Sequence, residues 1–176
     1  MTPRKMSDKA KRLSLLFPVT AAVVVVLDRI TKWWVSNAIE IGGSWPQTGF
    51  FRITHGENTG AAFGMFQNSR LVLSIISSLG VIAVLYIALV LSKRFSFLTW
   101  KTTMFALGLV LGGTLGNLID RAIIGHVTDF IKVWEWPDFN IADSSLVVGG
   151  IILALNLIRA YGTETSDDST SSANRR

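Results

Sequence analysis

The stretch TTMFALGLVLGGTLGNLIDR, residues 102–121, decides how the chain is read. It runs from 102 to 119 without a charged residue, close to the ~20 residues a helix needs to cross about 30 Å of hydrocarbon, and then closes on an acid and a base. Gly108, Gly112 and Gly116 recur at every fourth position, so a helix carries them on one face, where missing side chains let another helix approach closely. Packing is the default reading of that stripe. At the far end Asn117, Asp120 and Arg121 occupy neighbouring positions, with Asn117 and Asp120 three apart and so on one side. Such a group either orients a neighbouring acid or marks the water boundary, and spacing alone does not choose.

Working outward, three further apolar runs have similar length, at 13–35, 71–91 and 144–161. The 176-residue chain is 49% apolar and only 16% charged, whereas soluble domains run at about a quarter charged. These runs predict an all-α integral membrane protein with four transmembrane helices. The basic segment 1–12 carries Arg4, Lys5, Lys9, Lys11 and Arg12 against Asp8, and the connection after the second run carries Lys93, Arg94 and Lys101 with no acid. Both are therefore expected on the cytoplasmic side, with the mildly acidic connections 36–69 and 121–143 outside and both termini inside. Trp33, Trp34, Trp100, Trp134 and Trp136 fall near span ends, where amphipathic rings favour the interface. A cleaved leader is the rival reading of the first run, but Asp28, Arg29 and Lys32 separate the apolar run from the small-residue site Ser36-Asn37-Ala38. The Ser-, Thr- and Asp-rich end, 162–176, reads as a disordered cytoplasmic tail.

The connections carry structure of their own. Residues 48–54, TGFFRIT, are aromatic and β-branched and lead to a turn-like 57–60, which predicts a small strand or hairpin at the outer interface. Residues 127–131 read as an interfacial segment around Asp129. Asp28 and Lys32 lie in the outer part of the first span, where an ionised side chain costs up to about 3 kcal/mol. Four apart, they share a helical face and can pair there, or they can simply snorkel to water.

Asp129 and Asp143 are the candidate pair for chemistry. Two carboxylates around one water cannot easily both ionise, so the pair supplies an acid and a base together, which suffices for attack of water on a peptide carbonyl without a covalent intermediate. Asp143 also has the competing role of a helix cap, directed at Leu146. Other chemistries are poorly supplied. There is no cysteine; His55 and His126 form no metal-binding motif; Ser144 or Ser145 with Lys132 has no supporting pattern; and no phosphate-binding glycine loop or aromatic-interleaved basic patch points to nucleotide or nucleic acid. No metal and no cofactor are expected.

Four segments in order resemble the lipoprotein signal peptidase family, also called signal peptidase II: Asp28-Arg-Ile-Thr-Lys32, Asn58-Thr-Gly60-Ala61-Ala62-Phe63-Gly64, Gly112 through Arg121 followed by Gly125-His-Val-Thr-Asp129-Phe130, and Phe139-Asn140-Ile-Ala142-Asp143-Ser144. The resemblance implies a bacterial membrane aspartyl protease with Asp129 and Asp143 as its catalytic pair. Asn140 and Ala142 would shape the approach to Asp143. Asn58, Gly60, Asn117, Asp120 and Arg121 would support the site or face substrate, and Asp28 and Lys32 would stabilise the outer polar centre. It further implies four helices with a small extracytoplasmic β-cradle and an interfacial helix. The implied substrate is a diacylglyceryl-modified prolipoprotein, cut before its lipidated cysteine, in the bacterial cytoplasmic (inner) membrane; the only other partner expected is membrane lipid, and a monomer is expected. Arg29 and Thr128 depart from the family pattern and bear on fine specificity rather than on the reaction. A small transporter using the charges between helices, and a non-catalytic assembly factor using the glycine face, are the other classes open to this sequence.

Overall fold

The computed structural model of the chain describes residues 8–60 and 69–173, with side chains described over 15–60 and 69–162. Four α-helices, α1 (Asp8–Ala38), α2 (Arg70–Leu89), α3 (Lys101–Ile123) and α4 (Ile141–Ala173), are joined by a three-stranded antiparallel sheet made of β1 (Ser44–Trp45), β2 (Phe51–Asn58) and β3 (Val127–Val133). Among the described residues three helical segments are long and apolar enough to cross a membrane: Arg70–Lys93, Lys101–Ile123 and Ile141–Gly162. The expected fourth, 13–35, falls within α1, whose apolar run is interrupted by Asp28, Arg29 and Lys32.

Burial singles out α3 as the central helix. Of its 23 residues 11 are buried, against three of the 20 in α2. Lipid offers little hydrophobic drive between apolar helices, so close van der Waals contact must hold them, and the glycines supply it. A Cβ on Gly108 would lie 2.6 Å from Thr20 Cβ, and one on Gly112 would lie 2.6 Å from Val24 Cβ, so both positions are closed by α1. Gly113 faces the other way, against the Ala142 carbonyl of α4, and a Cβ on Gly149 of α4 would lie 2.9 Å from the Ala106 carbonyl. Gly116 sits where the helices meet: a Cβ there would lie 2.7 Å from Asp28 Oδ2 and 3.2 Å from Ala142 Cβ. Phe17, Ala21, Val84, Ala88, Met104, Leu107 and Leu111 fill the remaining interior, while Leu71, Leu79, Ile82, Leu155 and Ile158 face outward.

Substitution at Gly113 tests this packing. Gly113→Ala pushes directly on backbone at the start of α4 and should destabilise the protein by about 1–3 kcal/mol, seen as a lowered unfolding temperature in detergent. Gly150→Ala meets nothing within 4 Å and should leave that temperature unchanged or raise it. Equal melting of the two variants would remove the close-packing argument.

The sheet corrects two expectations and gives a third its conformation. Residues 127–131, expected as an interfacial segment, form most of β3, paired along β2 with Gly56 opposite Asp129 and Asn58 opposite Val127. The strand expected at 48–54 is displaced to Phe51–Asn58, and Glu57 and Asn58, expected in a turn, continue it. Pairing decides this, because every backbone N–H and C=O near the bilayer needs a partner and β2 and β3 satisfy each other. Ile131 bridges to Phe139, so the chain reverses through Trp134, at φ 49, and returns toward α4. His55 Nδ1 lies 2.7 Å from the Ile39 carbonyl and docks β2 on the end of α1. The tail expected to be disordered from 162 is helical as far as Ala173, since beyond Gly162 it holds no helix breaker. Ala61, Ala62, Phe63 and Gly64 of the second family-like segment lie outside the described residues.

Candidate active site

Asn140 is where the site is assembled. It stands just before α4, fully buried, and its Oδ1 accepts the Asp143 backbone N–H at 2.9 Å while Asp143 Oδ2 accepts the Asn140 backbone N–H at 3.2 Å. That reciprocal arrangement is a capping box, so the cap is Asn140 rather than Asp143. The Asn140 amide Nδ2 then donates to Asp129 Oδ1 at 2.7 Å. One asparagine therefore touches both aspartates, one delivered by β3 and one by the first turn of α4.

Each carboxylate has a second donor. Asn58, at the end of β2, donates to Asp129 Oδ2 at 2.9 Å, and its own Oδ1 accepts the Gly60 N–H at 2.9 Å. Asn117 of α3 donates to Asp143 Oδ1 at 2.7 Å. Burial first, and next the charge of Asp143, push the Asp129 carboxyl up to about 7, against the hydrogen bonds from Asn58 and Asn140 and the positive charge of Lys32.

Behind this pair lies a buried ionic cluster between α1 and α3. Lys32 Nζ reaches Asp28 Oδ2 at 2.8 Å, Asp120 Oδ2 at 2.9 Å and Asn117 Oδ1 at 3.0 Å. Asp28 Oδ1 accepts the Ala142 N–H at 3.1 Å, and Asp120 Oδ2 accepts the Thr128 N–H at 3.3 Å, so the cluster grips the chain one residue before each candidate catalytic aspartate. Of the two readings of Asp28 and Lys32, the buried pair is the one found. Removing either partner would leave an uncompensated charge in the interior.

Asp129 and Asp143 line one cleft of about 800 Å³ with Asn58, Asn117 and Arg121. Its other walls are Trp136, Pro137 and Phe139 and, on α4, Leu146, Val147 and Val148. Polar and apolar side chains thus share its wall, and Val147 and Val148 are also exposed on the surface of α4. The Arg121 guanidinium donates to the Gly60 carbonyl at 3.1 Å. The serine–lysine alternative finds no geometry: Ser144 and Ser145 hydroxyls donate to the Asn140 and Ile141 carbonyls, and Lys132 pairs with Asp138 at 2.9 Å. Among the described residues no three His, Asp or Glu side chains converge to hold a metal ion.

Two contributors escaped the sequence reading. Asp138 lines the cleft, held by Lys132 and by the Thr54 hydroxyl at 2.6 Å, and only the fold of the 134–139 turn brings it there. Arg29 pairs with Asp120 and, at 3.4 Å, with Asp28; its place one residue from Asp28 on a helix was the available signal.

The fold has counterparts among solved bacterial membrane enzymes. The chain is similar to one such enzyme, solved by the in meso method at 2.3 Å resolution, with a TM-score of 0.74 and 30% identity over 93% of this chain and 95% of the other. A second, solved at 1.9 Å, gives a TM-score of 0.68 and 34% identity over 79% and 90% of the two chains. The lipoprotein signal peptidase of Dehalococcoides mccartyi is 42% identical over 156 residues, 89% of this chain and 96% of the relative. That of Caldanaerobacter subterraneus subsp. tengcongensis is 40% identical over 142 residues, 80% and 94% of the two chains. The profile of the family described as Signal peptidase (SPase) II matches residues 20–159, and the chain belongs to that family of membrane peptidases.

Proposed function

We propose that this chain is an aspartyl endopeptidase that removes signal peptides from diacylglyceryl-modified prolipoproteins, cutting before the lipidated cysteine by means of a water held between Asp129 and Asp143. The observation that carries the reading is the coupling of the two carboxylates through Asn140 on the wall of one half-polar cleft. With Asp129 pushed up to about 7, a substantial fraction of molecules carries one proton on the pair at neutral pH. The ionised member takes a proton from water as its oxygen attacks the scissile carbonyl, and the protonated member donates to the carbonyl oxygen. When the tetrahedral intermediate collapses, the amide nitrogen is protonated, the C–N bond breaks, and the carboxyls return to their singly protonated state. Asn58, Asn117 and Asn140 orient the carboxyls; Arg121 and Gly60 form the polar rim. No metal or cofactor enters this scheme.

The same reading makes α1 the fourth span, with both termini cytoplasmic and the sheet and cleft at the extracytoplasmic face of the bacterial inner membrane. The basic connection at Lys93, Arg94 and Lys101 supports that orientation, and pairing of Asp28, Arg29 and Lys32 offsets the cost of placing them in a span. The reading takes the enzyme as a monomer, and is supported by both aspartates and their donors Asn58, Asn117 and Asn140 lying on one chain.

Val147 and Val148 both line the cleft and are exposed on α4, so in this reading a substrate can keep its acyl chains in the bilayer while its peptide reaches the carboxylates. Retention by lipid, at ~0.8 kcal/mol per buried methylene, then dominates recognition. Purified protein should cut a diacylglyceryl-modified precursor at least about tenfold faster than the same peptide without lipid, read as a gel shift. Equal rates would refute the lipid requirement. No cleavage of either substrate would refute the peptidase reading and turn attention to ion flux in liposomes.

A further inference from the structure

The ionic cluster behind the aspartates holds two acids and two bases. Asp28, Asp120 and Lys32 are almost wholly buried, at 0%, 1% and 3% side-chain exposure, whereas Arg29 is 33% exposed. A lysine ammonium has three hydrogens. Lys32 places three contacts, on Asp28 Oδ2, Asp120 Oδ2 and Asn117 Oδ1, and so has no further donor for the remaining oxygens. The Ala142 N–H meets Asp28 Oδ1, and Asp120 Oδ1 is met by Arg29. Without Arg29 the cluster would hold two carboxylates against one ammonium, a net negative charge in a low-dielectric interior.

That charge would be felt at the candidate catalytic pair, because Lys32 leads through Asn117 to Asp143 in two hydrogen bonds, of 3.0 and 2.7 Å. Asn117 can present its amide hydrogens to Asp143 only while its oxygen faces a donor, and Lys32 is one of its donors, with Asn140 Nδ2 at 3.2 Å the other. We propose that Arg29 is a positioning residue that neutralises the buried cluster, keeps one Lys32 hydrogen committed to Asn117, and thereby sets the pH at which the Asp129–Asp143 pair carries a single proton. The proposal deepens the peptidase reading and rests on it for its kinetic readout.

The other charged groups near the pair make no ion pair within the cluster. From α3, Arg121 feels the charges of Asp143, Asp129 and Asp120 from the cleft side, but its hydrogen bond goes to the Gly60 carbonyl. From β2, Glu57 pairs with His126 at 3.4 Å, and from the turn before α4, Asp138 pairs with Lys132 at 2.9 Å. Neither of those pairs touches the α1–α3 cluster, in which Arg29 is the second cation beside Lys32.

The test is the pH profile of kcat/KM for a diacylglyceryl-modified precursor, measured with the full chain as wild type, Arg29→Gln, Arg29→Met and Arg29→Lys. Removing the positive charge favours protonated carboxyls, so the Gln and Met variants should shift the whole profile upward by about half to one pH unit. Arg29→Lys keeps the charge and should return the profile to its wild-type position even if its melting temperature falls. An unmoved or downward-moved profile in a folded Gln or Met variant, whatever happens to rate or melting temperature, would overturn the proposal. If wild type cuts nothing, the peptidase reading falls by itself. The Arg29 proposal is then decided by infrared titration of the carboxyl C=O band, assigned with Asp129→Asn, where the same upward shift supports it and its absence overturns it.

Discussion

Asp129→Asn and Asp143→Asn should each lower cleavage of a diacylglyceryl-modified precursor by about 10³-fold or more, and the double variant should be no slower than the worse single one. Either change removes one member of a pair that must supply an acid and a base in the same step, so the second removal has nothing left to take away. Both substitutions are nearly isosteric. Asn at 129 keeps one oxygen to accept from Asn140 or Asn58, and Asn at 143 keeps one to accept from Asn117 or from the Asn140 N–H. The folded structure should therefore survive, which thermal unfolding in detergent checks. Substantial cleavage by either folded variant would remove that residue from the pair, and multiplicative losses in the double variant would mean that the two act independently.

A pH-dependent gain in stability should accompany the loss of activity at Asp129. Its folded carboxyl titrates at about 7 against an ordinary value of 3.8, because it is buried and faces Asp143. A carboxyl raised on folding binds its proton more tightly in the folded state than in the unfolded one. Its contribution is therefore whole below pH ~4, and is lost as pH rises toward 7. At about 1.4 kcal/mol per pKa unit, the loss across that window is roughly 4 kcal/mol. Asp129→Asn has no proton to lose, so its melting temperature relative to wild type should climb between pH 4 and 7 and level off above. A flat difference over that window would mean that Asp129 titrates in its ordinary range. The two results together would show an activity–stability trade: the same burial that lifts the carboxyl into a useful range penalises the folded state at neutral pH.

Much of the scaffold was legible along the chain. Uncharged runs near 20 residues predict spanning helices whatever surrounds them, because a helix satisfies its own backbone in lipid. Glycines at 108, 112 and 116 marked a close-packed face, and Gly108 and Gly112 do meet α1; that Gly113 meets α4 instead follows from which helices flank α3. The Asp28–Lys32 pairing was readable from its spacing, but its third contact, on Asp120 of another helix, was not. The sheet was placed less well. Residues 127–131 look equally like an interfacial apolar segment or a strand until a partner strand is known, and β2 lies some 70 residues away in the chain.

What the sequence by itself determined is the inventory: apolar runs, a glycine face, and acids and amides clustered at run ends, all of which follow from composition and short-range periodicity. Only the tertiary structure decided which of these act together. Asn140 joins Asp129 to Asp143, the Lys32 ammonium is divided among Asp28, Asp120 and Asn117, and Asp138 enters the cleft on a turned loop. The physical reason is range. Helix formation in lipid is settled by neighbours within a turn or two, whereas a hydrogen-bond network that holds two carboxylates at one cleft depends on strand register and helix contacts between segments dozens of residues apart.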